Sequence, residues 1–319
     1  MVERDQVRRS KAIQRRTGRT FHVATRLLPE RVRHATYVLY AFFRIADEVV
    51  DDPDAEYDPE EQAARLEDLR AQALGERDPD DPDPVLDAFR DLADRYGIPD
   101  REIDLFVDAM KADIRKARYH TYEELEEYMR GSAAAVGVMM TAVMEPDDRE
   151  TAVDHAVALG EAFQMTNFVR DVREDVVDRD RVYLPGETLE EHGVDFETVE
   201  SLQFEEGVAA AVAAELRRTE RLYREGVAGI KYLPRDCQFA VLLAAVLYAE
   251  HHRLVRSSGY DVINDRPSLS LPRKLWLLAK TGWLWLWNKD PEVVFRRVSA
   301  VPDSDRHPFE HERGAVPAQ

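Results

Sequence analysis

The sequence predicts an all-α chain, a helical bundle with one core. Apolar residues recur at three- and four-residue spacing through most of its length, the period of an amphipathic helix. No sustained alternation of apolar and polar residues calls for a sheet. Of the 319 residues, 44% are hydrophobic, enough to bury a sizeable core.

Taken in order, the first element is a long apolar helix over 31–50, followed by a charged amphipathic one over 60–73. A third helix, 86–96, follows Pro84, a residue suited to a first helical turn. Asp100 is the expected N-cap of a helix over 101–117, and Thr121 with Glu124 forms a capping box for the next. Segments 151–177, 205–228 and 235–257 continue the helical period. The stretch 275–287 (LWLLAKTGWLWLW) is interrupted by Lys280 and is shorter than the ~20 apolar residues of a spanning helix. It reads as a helix that either caps the core or lies on a membrane surface. The acidic, proline-punctuated 78–84 (DPDDPDP) reads as a solvated connection. No domain boundary is marked, so 1–302 is expected to form one helical domain and 303–319 a frayed tail.

Charge narrows the function. The net charge is −19, which argues against nucleic acid as a partner. Only seven of the 44 basic residues are lysine, at positions 11, 111, 116, 231, 274, 280 and 289. An acidic, lysine-poor surface suits concentrated salt, where charge repulsion is screened. The single cysteine, Cys237, excludes a disulfide framework and a cysteine-rich zinc site, and reads as a small packed residue. Residues 1–19 are basic with no apolar run behind them, so no secretory signal is expected and the expected location is cytoplasmic. The glycines form no GxGxxG and no P-loop, and the nine histidines form no HExxH. His251 and His252 are adjacent and read as surface or core residues.

Two constellations carry chemistry. In YVLYAFFRIADEVVDD, residues 37–52, Asp47 and Asp51 stand four residues apart and so share a helix face. Like charges at that spacing destabilise a helix unless something cationic sits between them. The flanking Ala41, Phe42, Phe43, Ile45, Ala46, Val49 and Val50 imply partial burial, and a buried carboxylate needs a partner or a metal. Arg44 supplies one cation. The second constellation, EAFQMTNFVRDVREDVVDRDRVYLP (161–185), repeats the pattern with Asn167, Asp171 and Asp175 in line on one face, and Arg170 beside them. Carboxylate and amide oxygens are hard ligands that favour Mg²⁺ or Mn²⁺ over zinc. One such pair among 63 acids could be accidental, as Glu123 and Glu127 are; two on apolar helices beside arginines are not.

RIADEVVDD and NFVRDVREDVVDRDRVYLP resemble the two aspartate-rich signatures of squalene and phytoene synthases, the head-to-head prenyl transferases. The resemblance begins at TFHVATRLLP (20–29), runs through 110–119 and YMRGSAAAVGVM (128–139), and reaches Tyr248, GYDV (259–262), Arg266 and Lys274. It implies an isoprenoid synthase-type bundle with a central apolar cavity. It implies that Asp47, Asp51, Asn167, Asp171 and Asp175 hold Mg²⁺ bridging to substrate diphosphates. Arg44, Arg170, Arg266 and Lys274 would contact diphosphate oxygens, with Gln164 in the same signature also binding substrate, and Tyr40 and Tyr248 as hydroxyl donors. Thr20 and Phe21 correspond to a Ser-Phe pair lining the cavity, and Tyr128 to a tyrosine near the reacting carbons.

Two departures refine this. Thr17 and Gly18 stand where the family often has Ser or His, and YMRGSAA replaces the squalene-type YCxxVAG. The second form resembles the phytoene synthases. Thr25, one turn after Phe21, leaves room for a longer tail. The implied reaction joins two geranylgeranyl diphosphates into phytoene with no nicotinamide cofactor. The alternatives are squalene or dehydrosqualene synthesis from C15 diphosphates, with NADPH for squalene, and a non-catalytic relative that binds lipid or a partner. The oligomeric state is left open.

Overall fold

The computed structural model describes residues 24–51, 57–77 and 83–303, with the side chain of Asp51 outside that set. The expected tail, the acidic connection at 78–82, and Thr20 and Phe21 lie outside the described residues. Within them the chain is helical, and the extended pairing consists of one isolated bridge, Arg118 to Val182.

The helices are α1 (Glu30–Asp51), α2 (Pro59–Ala73), α3 (Pro84–Tyr96), α4 (Asp100–Asp113), α5 (Tyr122–Met129), α6 (Ala135–Met144) and α7 (Arg149–Arg170). Then come α8 (Val172–Arg179), α9 (Gly186–Glu191), α10 (Phe196–Glu200), α11 (Glu206–Ala228), α12 (Arg235–Ser257), α13 (Leu271–Trp287) and α14 (Pro291–Val298). A π-helical turn, Arg130–Ala134, joins α5 to α6, and a 3₁₀ turn, Ile230–Tyr232, joins α11 to α12.

Local chemistry sets several ends. Asp58 and Glu61 form a reciprocal capping box on α2, and Asp83 caps α3, which opens on Pro84. At α5 the box is half-made: Thr121 accepts from the Glu124 N–H, while the Glu124 carboxylate accepts from His120 N–H instead. Asp100 is not a cap. The helix starts on it after Pro99, and no side chain caps that end.

The largest departure from expectation is in 151–177, which is two helices. Asp171 takes φ −106° and ψ 18°, ending α7 and starting α8. Its carboxylate lies against the Arg170 guanidinium next to it, an ion pair between chain neighbours that a regular helix holds on diverging faces.

α7 is the axis of the bundle, packed along α11, α6 and α12. Its approach to α6 is backbone-close. A Cβ on Gly137 would lie 2.6 Å from the Ala156 carbonyl oxygen, and one on Gly160 2.7 Å from that of Ala133. Only glycine fits either place. One apolar cluster joins α1–α6 with parts of α7 and α12, another joins α7 and α11–α14, and a third fills in around α8–α11.

Candidate active site

Four walls enclose a cavity of about 520 Å³, within the size range of small-molecule sites. α1 contributes the stripe Thr36, Leu39, Tyr40, Phe43 and Asp47; α7 contributes Leu159, Phe163, Gln164, Asn167 and Arg170. α6 with the π turn supplies Ser132, Val136, Met140 and Met144, and α12 supplies Ala240, Val241, Ala244 and Tyr248. Both long stripes run from apolar residues to charged or amide ones in steps of three and four, as one helix face must. One end of the cavity is therefore hydrocarbon and the other polar.

At the polar end the second motif is a tight charge array. Arg170 Nε donates to Asp171 Oδ1 at 2.8 Å, and its second nitrogen pairs with the other carboxylate oxygen. Arg266 reaches the same carboxylate at 3.9 Å and pairs with Glu174. Arg179 donates to Asp175 at 2.9 Å. Burial pushes the Asp175 carboxyl up to about 7, Arg179 opposes this, and the charges of Asp171 and Glu174 add to it. Tyr248 is buried deeply enough to raise its hydroxyl pKa; Arg170, Tyr40 and Asp171 are all near enough to act on it, which ties α1, α7 and α12 together at this end. Arg44 on α1 lies 3.8 Å from Asp47 and 3.3 Å from Glu48.

Of the residues singled out from sequence, Tyr40, Asp47, Gln164, Asn167, Arg170 and Tyr248 line one cavity, and Thr25 joins them at its apolar end. Asp171, Asp175 and Arg266 form the array beside it, and Lys274 is half-buried in the first turn of α13. Tyr128 is not among the residues lining this cavity. It is buried, its hydroxyl donates to Asp113 at 2.9 Å, and its ring packs with those of Tyr119, Phe168 and Tyr183. Cys237 is buried, as expected, and so are His251 and His252. Sequence reasoning missed Ser132: its buried hydroxyl, at the cavity wall, has no hydrogen-bond partner among the described residues. The π turn that aims it left no sequence signal beyond a glycine and two small neighbours.

The donor set is oxygen throughout, which suits a hard divalent cation. Burial holds the Asp175 carboxyl above the usual range and so favours its neutral form; a further cation beside it would favour the charged one. No group of three or more Asp, Glu, His or Cys is already gathered as a metal cage among the described residues.

Helices alone, an apolar cavity walled on four sides, and acids with arginines at one end define a helical prenyltransferase. The chain belongs to the squalene/phytoene synthase family, whose profile matches residues 14–273. It is 33% identical over 276 residues to the phytoene synthase of Rhodobacter capsulatus, spanning 84% of this chain and 78% of that one. It is 30% identical over 278 residues to the 15-cis-phytoene synthase of Synechocystis, spanning 84% and 81%. In three dimensions it matches a dehydrosqualene synthase crystallised with a ligand, with TM-score 0.78 and 26% identity over 89% of this chain and 98% of that one. The squalene synthase HpnC from Alicyclobacillus acidocaldarius shares the fold, with TM-score 0.71 and 23% identity over 81% of this chain and 95% of that one.

Proposed function

We propose that the chain condenses two molecules of geranylgeranyl diphosphate head to head into phytoene. The observation that carries this reading is the polarity of the cavity, hydrocarbon along its length and cationic and acidic at one end. A prenyl diphosphate has the same asymmetry.

Asp47, Asn167, Asp171 and Asp175, with Asp51 outside the described residues, would hold Mg²⁺. When bound, it supplies Lewis-acid stabilisation of the departing diphosphate. Arg170 and Arg44 donate to diphosphate oxygens, and Arg266 and Lys274 add positive charge. Arg170 is held ready by Asp171, so its charge needs no reorganisation as the leaving group departs. Tyr40, Tyr248 and Gln164 orient the diphosphate end. Phe43, Phe163, Val136, Met140 and Leu39 exclude water, which would quench an allylic cation.

The first step breaks one carbon–oxygen bond, forms a cyclopropyl C40 diphosphate, and releases one diphosphate and one proton. The second ionises that intermediate, rearranges it, and releases the second diphosphate and a second proton. No electrons are exchanged, so no nicotinamide is needed; a hydride from NADPH would enter only on the route to a squalene-type product. The competing reading, a C15 condensation, draws support from the likeness to a dehydrosqualene synthase.

The test offers C15 and C20 diphosphates separately with Mg²⁺, with and without NADPH, and identifies extracted products by mass. The expected product is a C40 hydrocarbon from the C20 substrate, unchanged by NADPH. Reaction with the C15 substrate alone overturns the tail-length assignment. No reaction with either, in Mg²⁺ or Mn²⁺ at high salt, favours a non-catalytic relative.

A further inference from the structure

α13 presents an exposed face that nothing in the cavity requires. Its buried side, Leu277, Thr281 and Trp285, packs toward α12, where Trp285 meets Phe239. Its other side carries Leu271, Leu275, Trp276, Trp283, Leu286 and Trp287, all exposed, with Trp283 at 63% and Trp287 at 77%. At 3.6 residues per turn these occupy an arc of about 160° along a helix about 25 Å long. All four tryptophans of the chain lie in this one helix. A contiguous apolar face of this size on a charged protein marks an interaction surface.

Charge says what covers it. The chain carries −19 overall, yet 266–289 contains no Asp or Glu and five cations: Arg266, Arg273, Lys274, Lys280 and Lys289. Three of the seven lysines fall there. By helical register, Arg273 and Lys280 border one edge of the apolar arc, while Lys274 falls on the side it shares with Thr281 and Trp285. The Lys280 ammonium lies over the Trp276 ring at 4.9 Å, and the Arg273 guanidinium, 4.3 Å from the same ring, also pairs with the buried Glu250 carboxylate at 2.9 Å. Lys280 and Lys289 form no ion pair among the described residues. Apolar residues and tryptophan in the middle with lysine and arginine at the rim suit the headgroup boundary of a bilayer. A second copy would set cationic rims against each other. No helix among the described residues is long and apolar enough to cross a membrane.

We infer that α13 seats this protein on an anionic lipid surface, its exposed Trp and Leu side chains in the acyl boundary and Lys280 and Lys289 among the headgroups. The local cations act within a screening length, about 10 Å at 0.1 M salt, so they also orient the molecule, cationic face inward and acidic body outward. The inference is independent of which prenyl diphosphate the cavity takes.

The full chain is sedimented with vesicles of phosphatidylcholine alone and of equimolar phosphatidylcholine and phosphatidylglycerol, and native tryptophan emission is followed. Binding to the mixed vesicles with a blue shift, quenched by brominated acyl chains, is expected. W283S/W287S, at exposed sites that leave the core intact, should weaken binding about ten-fold or more. K280E/K289E should lose the preference for the anionic vesicles, and both variants should turn over dispersed substrate as the wild type does. Absence of binding by the wild type, or binding unaltered by W283S/W287S, overturns the inference. So does a solution dimer that W283S/W287S converts to monomer with no vesicle binding, since the occupant is then a second copy.

Discussion

In the first aspartate motif Asp47 lies on an unbroken helix and keeps 42% of its side chain exposed, with Arg44 at 3.8 Å. In the second, Asp171 and Asp175 keep 15% and 10%, each in contact with its own arginine, and the helix is interrupted between α7 and α8. Acids four residues apart repel in both. In α1 Asp47 is half-exposed beside Arg44, while guanidinium groups and a backbone break relieve the repulsion in α7 and α8. The same sequence pattern thus yields one acid open to solvent and to an incoming cation, and two set in a preorganised charge array. The acid of the first motif stands in a loose, half-exposed ion pair; those of the second stand in close ones.

The largest effect that would break this comparison is on turnover. Asp47→Asn and Asp171→Asn should each lower product formation by about 10²–10³ or more, the scale for losing a charge that stabilises a transition state. Glu123→Gln, exposed on α5, should leave it near wild type. The variants should differ in stability: Asp171→Asn leaves the Arg170 guanidinium without its carboxylate and lowers the melting temperature, whereas Asp47→Asn does not. Turnover near wild type in Asp171→Asn with unchanged Mg²⁺ dependence would remove the metal assignment.

A smaller effect sharpens it. Arg179→Met deprives the buried Asp175 of its partner and should cost about 1–3 kcal/mol, below the figure for a fully buried pair because Arg179 itself is partly exposed. Arg44→Met, between more exposed acids, should cost under about 1 kcal/mol. Thermal melts in KCl separate the two. Screening shortens from about 10 Å at 0.1 M to about 3 Å at 1 M, so the Arg44 effect should vanish while the Arg179 effect persists. The wild-type melting temperature should rise over the same range, as expected for a surface carrying −19.

The smallest effect comes from an acid on α7 outside the motif. Burial pushes the Glu161 carboxyl up to about 7, with Glu126 and Glu225 adding to the shift and Arg130 opposing it. A raised carboxyl pKa means that the folded state binds this proton more tightly than the unfolded chain does. Its stabilising share is complete below the unfolded value and is lost as pH rises toward about 7. Glu161→Gln should therefore raise the melting temperature by a few degrees near pH 8 and leave it unchanged near pH 4. An equal gain at both would show that the side chain acts through packing.

The helices were legible because apolar period and caps speak locally: α12 runs over the expected 235–257, and α3 opens on Pro84. The six cavity residues were legible through their signatures and their i, i+4 stripes. The break at Asp171 was not, because it depends on where α8 docks and on the arginine pairing, both of which are tertiary. The surroundings of Tyr128 were not legible for a related reason: the Asp113 carboxylate and the rings of Tyr119, Phe168 and Tyr183 that pack its side chain come from other parts of the chain. The helix at 275–287 read as a core cap or a membrane-surface helix; one side is buried and the other exposed, and burial on one side says nothing about what faces the other.

The close approach of Gly137 and Gly160 makes one side of the cavity a fixed boundary: any side chain there collides with a carbonyl oxygen at 2.6 or 2.7 Å. At Thr25, Leu28, Ala240 and Ala244, elsewhere in the lining, a larger or smaller side chain would change the cavity volume one methyl at a time. The bundle behaves like a vice with one jaw bolted. A designer reshaping the cavity would leave Gly137 and Gly160 alone and trade side-chain size at the other lining positions.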